Sequence, residues 1–162
     1  MSADLNNRER AKQIISFEGM KRRGNLAPTD IDGFQEYNGR LFIFIEGKVI
    51  GNKSPMGQET SFKSMCDVFY YANSLSMKYE NKHSNRVAFV LIFEHNTPVE
   101  NDVVMKDQYV VDTYNSISLA WKKPTDIDVI PKFKTKNGKI TVLDAIIQIE
   151  NWCYEHKIPI GE

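Results

Sequence analysis

The sequence predicts an α/β (α+β) domain with a central mixed β-sheet flanked by helices, and three observations predict it. Asn38-Gly39 sits between two strand-prone runs, and a type I′ hairpin turn needs positive φ at both of its central residues, which Asn and Gly tolerate best. From about Gln58 to Ser76, the residues Phe62, Met65, Cys66, Phe69, Ala72 and Leu75 recur at helical spacing, which predicts a long helix with one face on the sheet. The run Arg86-Val87-Ala88-Phe89-Val90-Leu91-Ile92-Phe93 is short and continuously apolar, as expected of a central strand covered on both faces.

Composition sets the frame for these elements. With 162 residues and 41% hydrophobic content, the chain reads as a single domain over 1–162 with a real core. Its formal net charge is +0, so the surface as a whole does not advertise a nucleic-acid partner. Basic residues cluster at Lys21-Arg22-Arg23, at Lys122-Lys123 and across Lys132, Lys134, Lys136 and Lys139. Each run alone reads as a solvated face, and gains weight only beside a phosphate-handling site. Cys66 and Cys153 form no CxxC unit, so neither a zinc knuckle nor a disulfide framework is expected. The polar N-terminus and the lack of any stretch near the roughly 20 apolar residues of a membrane span predict a cytoplasmic protein with no membrane partner.

In chain order, the first element is a helix from about Leu5 to Glu18, with Ala11, Ile14 and Ile15 on its apolar side and Glu18 on that same face. A charge there is costly unless something pairs with it. The hairpin around Asn38-Gly39 follows, then a loop over Gly51–Gly57 and the long helix headed by Gln58. The central strand exits through Glu94 and His95. Tyr109-Val110-Val111 suggests another short strand, followed by a helix through Trp121 that Pro124 stops. Asn137-Gly138 marks a tight turn, and a last helix runs from about Thr141 to Tyr154, with Leu143, Ile146, Ile147, Glu150 and Trp152 around it. The pentapeptide Pro-Thr-Asp-Ile-Asp occurs at 28–32 and again at 124–128; five residues are too few for a structural repeat, and only turn chemistry is shared.

The candidate site lies at the open end of the hairpin. Asp32 is seven residues before Gly39 and Glu46 seven after it, so the two carboxylates stand at matching distances from the turn. Strand alternation puts Glu46 and Lys48 on one face and points Gly47 to the other. Two acids and a lysine are therefore expected to converge there. Taken singly, each residue has a plainer reading: an acid-x-Lys triplet as a surface ion pair, Asp30 and Asp32 as turn residues, Glu18 paired with a neighbouring cation, Gln58 as a helix start.

The order is what distinguishes the set. A helix bearing Glu18, then Asp32, a hairpin, Glu46-Gly47-Lys48 and a helix opening with Gln58 resembles the PD-(D/E)XK nuclease superfamily, to which resolvases, restriction endonucleases, lambda-type exonucleases and many phage-encoded nucleases belong. The resemblance covers Glu18 to about Phe62. It implies a restriction-endonuclease-like core and a Mg2+-dependent (or Mn2+-dependent) deoxyribonuclease. In it Asp32, Glu46 and the Gly47 carbonyl hold the metal, Lys48 orients the attacking water, Glu18 is the helix-borne acid and Gln58 the helix glutamine. DNA is the implied partner, with a homodimer as a further expectation because so small a domain offers a short DNA-contacting surface, and the host cytoplasm is the location if the chain is phage-encoded.

Two departures mark the chain. Ile31 stands where the family motif has proline, leaving Pro28 as a loose substitute and Asp30 as a competitor of Asp32; the spacing to the turn favours Asp32. Gly47 replaces an apolar or β-branched residue at a position expected to face away and leave catalysis undisturbed. His95, with Glu94, is a candidate for supporting the metal ligands if the strand exit lies near them; His83 and His156 carry no visible constellation. The competing function is a catalytically silent nuclease-fold protein that binds DNA or a protein partner, such as a phage-encoded inhibitor of host defence.

Overall fold

The computed structural model describes residues 31–52, 56–80, 86–96 and 103–161, all within one compact unit, Ile31–Glu162. The expected Leu5–Glu18 helix, Glu18 and Asp30 lie outside the described residues. The elements are β1 (Gly33–Tyr37), β2 (Leu41–Val49), α1 (Met56–Glu80), β3 (Val87–His95), a single 3-10 turn (Met105–Asp107), β4 (Tyr109–Asn115) and α2 (Val142–Glu155). The strands form one mixed sheet in the order β1-β2-β3-β4, in which β1 is antiparallel to β2, β2 parallel to β3, and β3 antiparallel to β4.

The hairpin forms where Asn38-Gly39 predicts it. Asn38 has φ 54 and Gly39 φ 65, and the Arg40 N–H closes the turn on the Tyr37 carbonyl at 2.9 Å. Because β2 and β3 are parallel, their connection must cross over, and α1 makes that crossing. The sheet is covered on both sides. On one face Phe44, Ala88, Val90, Ile92 and Tyr114 pack against Phe62 and Cys66 of α1. On the other, Leu41, Ile43, Ile45, Phe89, Leu91 and Phe93 pack against Ala145, Ile146, Ile149 and Cys153 of α2. Every residue from Val87 to Phe93 is therefore buried, which is why β3 shows no polar alternation.

Two elements differ from expectation. The apolar stripe of α1 stops short: Phe62 and Cys66 are buried and Phe69 half-buried, but Ala72 and Leu75 are exposed. The helix runs back along β2 from Gln58, beside Glu46, to Phe69, beside Phe42. Eleven helical residues advance ~16 Å, whereas Glu46 to Phe42 spans ~13 Å of strand. The sheet is used up there, and the later turns overhang its end.

No helix passes through Trp121. Instead β4 extends to Asn115, whose Oδ1 accepts from the Ile117 and Ser118 N–H groups at 2.8 Å and turns the chain. The chain then doubles back so that Thr113 and Lys122 exchange backbone bonds of 2.7 and 2.9 Å, which seats Trp121 against Tyr114. The last helix does form, with the Thr141 hydroxyl accepting from the Asp144 N–H as its N-cap; Leu143 and Ile147 face outward. Tyr37 of β1 donates to Glu150 of α2 at 2.8 Å, and burial raises its hydroxyl pKa. Both cysteines are free and buried, and burial pushes each thiol up to about 12, so neither is a reactive thiolate. Among the described residues no helix is long and apolar enough to cross a membrane.

Candidate active site

Strand alternation turns Glu46 and Lys48 of β2 to the α1 face, where Phe44 already packs on Phe62. Gln58 lies four residues before Phe62, so it heads the buried stripe of α1 and comes down over the same end of β2. The three side chains close a triangle. Lys48 Nζ donates to Glu46 Oε1 at 2.5 Å and to Gln58 Oε1 at 2.6 Å, while Gln58 Nε2 donates to Glu46 Oε1 at 2.6 Å. Lysine only donates and a carboxylate only accepts, so the chemistry itself fixes which way the amide points.

The triangle leaves one atom over. Glu46 is 5% exposed, and its Oε2 is buried with no hydrogen-bond partner among the described residues. An unsatisfied carboxylate oxygen in such a place costs about 1–3 kcal/mol or more. Both donors that reach Glu46 fall on Oε1.

Asp32 stands one residue beyond β1, next in register after the Gly33–Ile45 pair and so opposite Glu46. It does not join the triangle: its Oδ2 accepts from the Gly47 N–H at 2.7 Å. The three polar residues thus do not converge as one cluster of side chains. β1 has ended, and the freed Gly47 N–H captures the carboxylate in place of a further strand partner. Gly47's own carbonyl turns to that same strand edge, because a residue's N–H and C=O point the same way across a ladder.

Gly47 is also not a neutral departure. A Cβ built there would lie 2.5 Å from Phe93 Cζ and 2.8 Å from Cε2, distances no Cβ tolerates, and 3.2 Å from Asp32 Oδ2. Gly47 faces away from Glu46 and Lys48, as alternation predicts, and the buried Phe93 ring lies where its side chain would be, so a larger residue there requires the ring to move. His95 falls on that same side. The register pairs Lys48 with Glu94 and Val49 with His95, and His95 packs on Phe93, on the α2 face. It is Glu94 that shares the Lys48 face.

On that face Lys48 borders a cleft of about 380 Å³ whose other walls include Glu59, Glu94, Asp112 and Trp121. Asp112 pairs with Ile92 and alternates with Tyr114 onto the α1 face; the bulge lies just past it, where Phe93 pairs with Val110 and leaves Val111 as the extra residue. Burial raises the Asp112 carboxyl pKa; Lys123 opposes this, Glu59 adds to it, the Trp121 indole opposes it and Glu94 adds to it. Sequence reasoning missed Glu59 and Asp112, and named Glu94 only alongside His95 as a support for the metal ligands; its place two residues after Ile92 was the available signal. Among the described residues no three His, Cys, Asp or Glu side chains gather as a ready-made metal-ligand set.

Comparison with protein-family models, with curated proteins and with solved structures finds no match. The chemistry of the site must therefore be argued from its own geometry.

Proposed function

We propose that this protein is a metal-dependent nuclease that hydrolyses phosphodiester bonds in DNA, on a restriction-endonuclease-like core of the PD-(D/E)XK type. One observation carries the reading: Glu46 Oε2 is buried and has no hydrogen-bond partner among the described residues, although the carboxylate is paired with Lys48 through Oε1. A hard divalent cation takes carboxylate and carbonyl oxygens, and this corner offers Glu46, Asp32 and the Gly47 carbonyl. Mg2+ or Mn2+ held by these three would supply charge stabilisation at phosphorus and a water of lowered pKa.

The chain's own residues supply the rest. Gln58 and Lys48 hold Glu46 by Oε1 and so fix the direction of Oε2. The Gly47 N–H does the same for Asp32. Of the three protons on Lys48 Nζ, two go to Glu46 and Gln58; the third is available to an attacking water or a phosphate oxygen, where positive charge offsets the charge that develops. The mixed sheet flanked by helices is in keeping with this reading. Glu18 stays in the proposal as the helix-borne acid.

The second reading, a catalytically silent member of the fold that binds DNA or a protein, draws on one observation: Lys48 is doubly engaged by neighbours, as in a structural pair. Incubating the protein with labelled linear, nicked, branched and single-stranded DNA, with Mg2+, with Mn2+ and with chelator, separates the two. Metal-dependent cleavage of any form supports the nuclease; binding without cleavage under every condition supports the silent fold.

A further inference from the structure

Phe34 stands on the edge strand β1 with 55% of its surface open to solvent. Its ring is nonetheless fixed in place. It stacks on Phe44 at 5.1 Å with a 22° interplanar angle and reaches Phe42 at 6.3 Å and 26°. Phe42 in turn packs on Phe69 of α1 at 4.6 Å. A phenyl ring packed against other rings and still more than half exposed is a preorganised surface for another planar group.

Its position gives that surface a use. Phe34 pairs across the hairpin with Phe44, and Phe44 and Glu46 share one face of β2, a pleat repeat of roughly 6.7 Å apart. The open ring therefore lies beside the Glu46 corner, on the β1 side. The cleft on the other side of Lys48 carries both signs of charge: Glu59 is paired with Lys63 at 2.7 Å, Lys123 acts on Asp112, and Glu94 adds a further acid. At the turn end of the same hairpin Arg86, whose Nε donates to the Gly39 carbonyl at 3.2 Å, holds a positive charge. A strand laid along β1 meets the Arg86 cation at the turn end and the Phe34 ring at the other, and between them passes Glu36, whose carboxylate is engaged by the Gly39 N–H.

We propose that Phe34 is a base-stacking platform, and that the substrate class is nucleic acid with an unpaired base beside the scissile phosphate: a single strand, flap or frayed end. In an intact duplex both faces of each base are already stacked, so only an unpaired or extruded base can cover the ring. This inference rests on the reading of the Glu46 corner as a phosphodiester-cleaving site.

The test is fluorescence anisotropy of a labelled single strand and of a blunt duplex against the full chain, in chelator and in Mn2+, alongside cleavage in Mn2+. Phe34→Leu keeps an apolar contact to Phe44 but removes the π face; it is expected to weaken single-strand binding about 5- to 100-fold, the loss of stacking on one base. Phe34→Trp restores it, and duplex binding is unchanged in both variants. Equal single-strand affinity in wild type, Phe34→Leu and Phe34→Trp overturns the platform. So does a wild-type preference for duplex, or a wild-type dimer in sedimentation that Phe34→Leu dissolves, since a second copy would then cover the ring. Phe34-dependent binding without cleavage removes the nuclease reading and leaves the platform; cleavage indifferent to Phe34 does the reverse.

Discussion

Gln58 donates to Glu46 Oε1 at 2.6 Å, from the first turns of a helix onto the end of a strand. That bond and its companion to Lys48 make the amide a bridge between an acid and a base that already touch each other. Both donors of the triangle that reach Glu46 fall on one carboxylate oxygen, and the other has no hydrogen-bond partner among the described residues.

Removing the acid should therefore destabilise the fold. Glu46→Ala strands Lys48 and Gln58 without their shared acceptor, and a loss of about 1–3 kcal/mol is expected, less than for a fully buried pair because Lys48 retains some solvent contact. Glu46→Gln keeps an acceptor oxygen and should cost less. Urea unfolding in chelator measures both; equal stability of wild type and Glu46→Ala would mean the triangle does not persist in solution.

Gly47→Ala forces the new methyl against the Phe93 ring. Overpacking of this kind costs about 1–3 kcal/mol, and the same shift disturbs the bond that holds Asp32. Phe93→Leu in the same chain should recover part of the stability, because the ring atoms in conflict are gone. A double-mutant cycle with no coupling between the two positions would contradict the contact.

Much of this corner is legible in the sequence because it depends on local periodicity. The turn at Asn38-Gly39 sets the register, alternation puts Glu46 beside Lys48, and helical spacing from Phe62 brings Gln58 over them. The crowding at Gly47 is not legible, since it comes from Phe93, 46 residues further on and brought alongside only by parallel pairing. The side on which His95 falls is not legible for the same reason: alternation along β3 is hidden when both faces are apolar. Ala72 and Leu75 keep the helical period but outrun the sheet, whose length no pattern within the helix encodes. Trp121 was misassigned because Asn115 turns the chain with a side-chain bond, which hydropathy does not register.

The Asp112 carboxyl, raised by burial, predicts a pH dependence. Its folded pKa exceeds the ordinary value of 3.8, so between the two values the native state holds more proton than the unfolded one. Stability contributed by this group is present at lower pH and declines as pH rises through that window. Asp112→Asn should flatten that part of the profile and raise the melting temperature near neutral pH. A steeper loss of stability with pH in the variant would reverse the sign and refute the assignment.

Mn2+ should raise the melting temperature of wild type, because a ligand that binds only the folded state stabilises it by mass action. The shift should vanish in Asp32→Ala and shrink in Glu46→Gln, where a neutral amide replaces a charged ligand. Weak Mg2+ binding without substrate fits the account, since phosphate oxygens complete such sites. An undiminished Mn2+ shift in both variants would place the cation elsewhere.

The most direct measurement is metal-dependent cleavage by four substituted chains beside wild type: Asp32→Ala, Glu46→Gln, Lys48→Met and Asp128→Ala. Asp128 closes the second Pro-Thr-Asp-Ile-Asp segment and is exposed, with only a 3.9 Å ion pair to Lys122. It therefore shares the local sequence of Asp32 without a hairpin that returns a carboxylate and a lysine to it. The account predicts that wild type and Asp128→Ala cleave at similar rates in Mg2+ or Mn2+, and that the other three are inactive while folded by circular dichroism. Wild-type-like cleavage in Asp32→Ala or Glu46→Gln, or inactivation by Asp128→Ala alone, would contradict it.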